Sequence, residues 1–155
     1  MLKYPDAAFE AQLKKNTCPI YILVGQDTFL LNTAVDTIKH TWCATKNSFE
    51  TNRMSLENSN DWSDLIQEAN TYSLFYEHLM LDATWNKKSF DVKTKKQLNA
   101  YANNPSTHCL LILRAPLITS KQYMELNKHE HITCITVNSL NATAELQWIQ
   151  QALKQ

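Results

Sequence analysis

Gly25 is the only glycine among 155 residues. At the usual share of ~7%, a chain of this length carries about eleven. Glycine is the residue that enters positive φ freely and lets a backbone approach a ligand closely. A chain with one glycine therefore cannot build a site that needs several. The phosphate loop G-x-x-x-x-G-K-[ST], the dinucleotide fingerprint G-x-G-x-x-G and the nucleophile elbow G-x-S-x-G are all excluded. Helices and strands must be joined here by turns that work without glycine, and triphosphates are not cradled in a glycine-rich bend.

The length suits one compact domain or one piece of a longer chain. Fifteen Lys and Arg balance fifteen Asp and Glu, so any grip on nucleic acid or anionic lipid must be local. A 44% hydrophobic and 10% aromatic content supplies a core and argues against disorder. Cys18, Cys43, Cys109 and Cys134 form no C-x-x-C pair and have no histidine at metal-ligand spacing. All four read as reduced thiols in a cytoplasmic protein. No run approaches ~18 uninterrupted apolar residues, and the start Met1-Leu2-Lys3-Tyr4-Pro5-Asp6 has no signal-peptide core, so no membrane contact and no secretion are expected. In that compartment Asn141-Ala142-Thr143 is a chance glycosylation match.

Along the chain, strand and helix signals alternate. Pro5 to Lys15 reads as a short helix with Phe9 and Leu13 four apart. Ile20-Tyr21-Ile22-Leu23-Val24 is a β-branched apolar run, the mark of a strand covered on both faces. Asp27 or Thr28 then caps a helix carrying Leu31, Ala34, Val35, Ile38 and Trp42 in step. A weaker strand from Phe49 to Leu56 precedes a helix capped by Asn60 or Asp61 and lined by Trp62, Leu65, Ile66 and Ala69. Strands at His78 to Thr84, His108 to Ala115 and His131 to Val137 alternate with helices at Asp91 to Tyr101, Thr119 to Lys128 and Thr143 to Lys154. Five such alternations predict a three-layer α/β domain: a five-stranded parallel sheet with helices on both faces. Ligands of such sheets sit at the carboxyl ends of the strands, near the switch in strand order.

The loop in that position, Gly25-Gln26-Asp27-Thr28, has a helix N-terminus to attract anions and nothing more. No lysine lies between Gly25 and Ile38, and Asp27 adds charge of the wrong sign. A capped helix start without ligand is the favoured reading. A phospho-acceptor receiver shares this alternation, and Asp27 and Asp82 fit it loosely. Its fourth and fifth strands, however, exit as Arg114-Ala115-Pro116 and Val137-Asn138-Ser139, without the Ser or Thr and the Lys that such a site wants. His129-Glu130-His131 can place two imidazoles on one side of a strand, but with no third ligand nearby a solvated turn is favoured over a metal site. Catalysis has no candidate constellation. Lys87, Lys88, Lys93, Lys95 and Lys96 against Asp91 give a local charge of +4. Lys93, Lys95 and Lys96 are accordingly candidate contacts for a DNA or RNA phosphate backbone, with a solvated helix face as the favoured alternative.

Leu74 and Phe75 stand out. Winding the helix at ~100° per residue from Trp62 places Leu65, Ile66, Ala69 and Ser73 within about 60° of it, one buried stripe. Leu74 falls at about 120° and Phe75 at about 220°, both off the stripe. Continued through them, the helix would present two large adjacent apolar residues to solvent, as partner sites do. The alternative from periodicity is a helix ending near Thr71, with both side chains tucked under the loop to the third strand.

These segments resemble a known family. Asp61-Trp62 through Ser73-Leu74-Phe75 to Leu79-Met80-Leu81 is similar to the delta subunit of the bacterial DNA polymerase III clamp loader. So are Tyr21-Ile22-Leu23-Val24-Gly25-Gln26-Asp27 with Leu30-Leu31, Cys109-Leu110-Leu111-Ile112-Leu113-Arg114 with Ser120-Lys121, and Leu146-Gln147-Trp148-Ile149 through Lys154-Gln155. The likeness runs through nearly the whole chain but matches only the family's first domain, without its helical lid and its oligomerisation collar. It implies an AAA+-like, P-loop NTPase-like domain over residues 1–140 with a degenerate phosphate loop, and a terminal helix over 141–155 leading to a lid domain.

The implied role is non-catalytic: binding the sliding clamp (the beta subunit) and opening its ring, without ATP hydrolysis and without a cofactor or metal. The assembled holoenzyme of that family is a DNA-directed DNA polymerase. The implied partners are the clamp, the other clamp-loader subunits through domains beyond this chain, and DNA indirectly. In the family a Ser-Leu-Phe at a helix end contacts the clamp, and Ser73, Leu74 and Phe75 occupy that position. Asn70 replaces a frequent Gln three residues before the serine, and Tyr72 stands where an aliphatic residue is common, so both flanking contacts differ from the family pattern. The competing readings are a nucleotide-binding enzyme or receiver-like domain on the same fold, and a scaffold domain without clamp affinity.

Overall fold

A computed structural model describes residues 2–137 except 16, 45 and 47. The predicted helix over Thr143 to Lys154, the 141–155 boundary and the Asn141 sequon lie outside the described residues.

The elements run β1 (Leu2–Tyr4), α1 (Phe9–Lys15), β2 (Ile20–Val24), α2 (Thr28–Cys43), β3 (Phe49–Leu56), α3 (Ser59–Ala69), β4 (His78–Trp85), α4 (Val92–Asn103), β5 (Cys109–Arg114), α5 (Ser120–Leu126) and β6 (Ile132–Val137). The expected five strands are found, and β1 is a sixth. The sheet order is β1-β6-β2-β5-β4-β3, and every pairing is parallel. The five-strand expectation is corrected by these three residues, which pair with Ile135, Thr136 and Val137 of β6. A strand so short, interrupted by a lysine, has no periodicity to betray it. Its presence also shortens the first helix: Asp6 turns the chain by accepting from the Ala8 amide at 3.0 Å, and α1 begins only at Phe9 rather than at Pro5.

The connections explain which face each helix covers. From β2 the chain crosses over β5 and β4 to reach β3, then steps back through β4 and β5 and over β2 to β6. Right-handed crossovers taken in opposite directions place their helices on opposite faces. Accordingly α1 and α2 pack Phe9, Leu13, Leu31, Val35 and Ile38 against Tyr21, Leu23, Ile112 and Ile135. On the other face α3, α4 and α5 pack Trp62, Leu65, Leu98 and Leu126 against Ile22, Leu81, Leu111 and Cys134. Strand residues alternate between these two cores, as the period of two requires. The central strand β2 is therefore buried throughout and β5 up to its last residue, Arg114, whereas edge strand β3 shows one polar side and a weaker sequence signal.

Trp62 of α3 meets Trp85 and Phe90 edge-on, with ring centroids 5.9 Å away in both cases. Such contacts add about 0.5–1.5 kcal/mol each beyond area burial. At its start α3 is held by a capping box, Asn58 accepting from Asp61 N–H while the Asp61 carboxylate accepts from the Asn58 amide. The seating of α3 matters because its far end launches the loop described next.

Candidate functional site: an apolar loop tip on the amino edge of the sheet

The helix carrying the Trp62 stripe stops at Ala69. Asn70 is its C-cap in αR conformation, its amide reaching the Ile66 and Gln67 carbonyls at 3.1 and 3.2 Å. The Thr71 amide then reaches the Glu68 carbonyl at 3.2 Å, and the Thr71 hydroxyl donates to the Gln67 carbonyl at 2.7 Å. The helix does not continue to Phe75, so the angular phase calculated for Leu74 and Phe75 does not apply. Its conclusion nevertheless stands: Leu74 is 99% and Phe75 93% exposed. The alternative was right about the helix end and wrong about the tucking.

Both ends of this loop are fastened. At its start the Thr71 carbonyl meets His108 Nε2 at 2.9 Å, and the Tyr72 ring stacks on the His108 imidazole with centroids 4.1 Å apart. At its close Tyr76 leans on the core, and the Glu77 and His78 amides donate to the hydroxyl and carbonyl of Ser48. Between them the Phe75 amide donates to the Ser73 hydroxyl at 3.0 Å, a tight local turn. The tip thus lifts two bare hydrophobic side chains off the amino edge of the sheet. Asn70, Tyr72, Ser73, Leu74 and Phe75 are brought together as adjoining positions, with Asn70 as helix terminator and Tyr72 as a largely exposed ring lying on His108.

At the opposite, carboxyl edge the glycine has another employment. Gly25 has φ +155°, and a Cβ built on it would lie 1.7 Å from the Val137 carbonyl oxygen. Glycine is required there by close contact between the ends of β2 and β6. Asp27 is the N-cap of α2, its Oδ1 accepting from the Leu30 amide at 3.0 Å.

The crevice at the strand-order switch is bridged. Arg114, leaving β5, gives two parallel 2.9 Å hydrogen bonds to the buried Asp82 carboxylate and a third to Asn32 of α2. Arg53 stands 3.8 Å from the same carboxylate. A shallow cleft of about 380 Å³ is lined by these groups with Met54, Ser55 and Thr84. A carboxylate so engaged is a poor phospho-acceptor, and the receiver-like reading loses its central residue. Sequence reasoning named Arg114 in the family resemblance and as a missing Ser or Thr, but gave it no role of its own. An arginine ending an otherwise apolar strand was the available signal.

The remaining candidates divide. Lys93 and Lys96 are exposed on α4, but Lys95 is half-buried and 3.8 Å from Glu125 of α5, so the structure separates it from the other two. His129 Nε2 meets Asn103 Oδ1 at 2.9 Å and His131 Nδ1 meets the Ala102 carbonyl at 2.7 Å. Among the described residues no group of three or more His, Cys, Asp or Glu is placed to hold a metal. Burial pushes the Cys109 and Cys134 thiols up to about 12, which makes them weak nucleophiles. No helix among the described residues is long and apolar enough to cross a membrane.

The family model for the DNA polymerase III delta subunit matches residues 21–135, from β2 to β6. The chain belongs to that family. A solved structure, the Bacillus subtilis DNA clamp loader delta protein (YqeN), aligns with a TM-score of 0.66 at 21% identity, over 90% of this chain. This delta-family chain spans 44% of that protein's length. No curated protein matches it.

Proposed function

We propose that this chain is the clamp-contacting domain of a clamp-loader delta subunit, a non-catalytic part that binds the sliding clamp and helps open its ring during DNA replication. The observation that carries the reading is the exposure of Leu74 and Phe75 on a loop fastened at both roots. Family membership and the similarity to a protein named a DNA clamp loader delta protein support it. Leu74 and Phe75 are the anchor pair, each worth ~1.5–3 kcal/mol when fully buried in an apolar pocket. Ser73 shapes the turn behind them, and Tyr72 and Asn70 flank the contact. Contacts with other clamp-loader subunits are expected of the parts of such a protein that this chain does not match, DNA is engaged indirectly, and Lys93 and Lys96 are the exposed candidates for any direct touch.

The fold is read as AAA+-like with a degenerate phosphate loop. Without edge strand β1, the sheet order reads 5-1-4-3-2, numbering the remaining strands along the chain. The loop after β2 has no lysine, its glycine packs against Val137, and the Asp82 carboxylate within β4 is held by the Arg114 guanidinium. ATP hydrolysis is not among its expected activities.

Titrating fluorescently labelled clamp with the wild-type chain and with Leu74→Ala/Phe75→Ala tests the site. Loss of binding by a folded double variant supports it, and undiminished affinity overturns it. ATP with magnesium is expected to leave the thermal midpoint unchanged; a clear upward shift would favour the nucleotide-binding alternative.

A further inference from the structure

We propose that His108 is the positioning residue of the clamp-binding loop, fixing the direction in which Leu74 and Phe75 leave the domain. The inference rests on the reading of those two residues as the anchor pair. His108 lies just before β5, is 6% exposed, and has partners on both ring nitrogens. A carbonyl oxygen only accepts, so the Nε2 that meets Thr71 carries the hydrogen and donates. In the neutral ring Nδ1 then accepts from the Ser106 hydroxyl at 2.6 Å. The main chain of His108 is equally committed, its carbonyl accepting from the Leu79 amide of β4 at 2.9 Å. The imidazole is therefore a rigid post standing on the central part of the sheet.

Two features of the loop depend on that post. The carbonyls in the last turn of a helix have no partner within it, and the Thr71 carbonyl just beyond α3 finds its partner in His108. Tyr72 is 73% exposed, and its ring lies against the same imidazole at an interplanar angle of 26°. These contacts hold the two residues immediately before Ser73-Leu74-Phe75. Removing them leaves the start of the loop held only by the Thr71 bonds back to Gln67 and Glu68, and its close by Tyr76 and Ser48. A loop that visits the binding-competent direction only a fraction of the time binds with an affinity reduced by that fraction.

The test uses the full chain with three substitutions. His108→Leu removes both contacts, His108→Gln keeps a donor, and His108→Phe keeps a ring under Tyr72. Ile112→Val, in the core of β5, serves as the control for general destabilisation. Clamp affinity is measured by anisotropy, and amide exchange is followed through residues 71–77. His108→Leu is expected to weaken clamp binding roughly tenfold, as one hydrogen bond and a stacking contact predict, and to speed exchange in 71–77. Ile112→Val is expected to change neither, and His108→Gln to recover most of the affinity.

If Leu74→Ala/Phe75→Ala abolishes binding while His108→Leu binds within twofold of wild type, the anchor stands and the proposal falls. If the anchor variant binds normally, the anchor reading falls, and the proposal with it. Should His108→Leu fail to fold, the Gln and Phe variants decide: wild-type affinity and exchange in the Phe variant overturn the hydrogen bond's role, and a Gln variant much weaker than Phe does the same.

Discussion

Arg114 and Asp82, on adjacent strands, face each other through two parallel hydrogen bonds of 2.9 Å, one to each carboxylate oxygen. Both side chains are largely sheltered from water. Taking one partner from a buried ion pair strands the other charge, a loss of about 3–5 kcal/mol. Arg114→Ala is expected to lower unfolding free energy by about 3 kcal/mol in urea titrations. Asp82→Leu with Arg114→Met, which removes both charges, is expected to lower it by less. A double variant as damaged as the single would show that the pair is not what holds this corner.

Leu74→Ala and Phe75→Ala, together or singly, are expected to change stability by no more than about 0.5 kcal/mol, because surface substitutions outside special features rarely exceed that. Both side chains already stand in solvent. A drop of 2 kcal/mol or more, on the order of a core truncation, would mean that the pair packs inside the domain in solution.

At Gly25 an added methyl would overlap the Val137 carbonyl, and the backbone sits in a region that side chains avoid. Gly25→Ala is expected to destabilise by at least about 3 kcal/mol, since overpacking and backbone strain act together. Denaturant midpoints within 0.2 M of wild type, on the order of a few tenths of a kcal/mol, would contradict the close approach of β2 and β6.

The buried thiols set an alkaline limit. Cys109 and Cys134 are pushed from 9.0 to about 12, and Tyr21 from 10.0 to about 12, chiefly by burial. Their protonated forms are favoured in the fold, so between pH 9 and 12 the folded state binds more protons than the unfolded one. The stability they contribute is complete below pH 9 and declines as pH rises towards 12. Urea midpoints are expected to hold steady from pH 7 to 8.5 and to decline above pH 9. A flat profile to pH 11 would indicate that these groups are reached by water.

Much of this architecture was legible because burial on two faces imposes an unmistakable pattern. Ile20–Val24 was readable to the residue, and β5 within one residue at each end, since short aliphatic runs of strand length rich in Ile, Val and Leu suit a strand covered on both faces. Strand β1 was not legible, because pairing with β6 is a long-range event that three residues cannot announce. At the site, sequence periodicity identified Leu74 and Phe75 as off the stripe but could not say where the helix ends. That depends on the Asn70 cap and on a histidine 37 positions beyond Thr71. Lys93, Lys95 and Lys96 looked equivalent as neighbours in a charge run. Only the packing of α5 beside α4, which puts Glu125 near Lys95, separates them.

The loop that bears Leu74 and Phe75 runs directly into β4, which is laddered to β3 on one side and to β5 on the other. A tug on the tip is therefore taken up at the head of a strand anchored along both flanks. Drawn lengthwise, such a strand resists with many parallel bonds loaded at once, rather than unzipping one at a time. Whatever pulls on that tip pulls on a strand with a neighbour on either side.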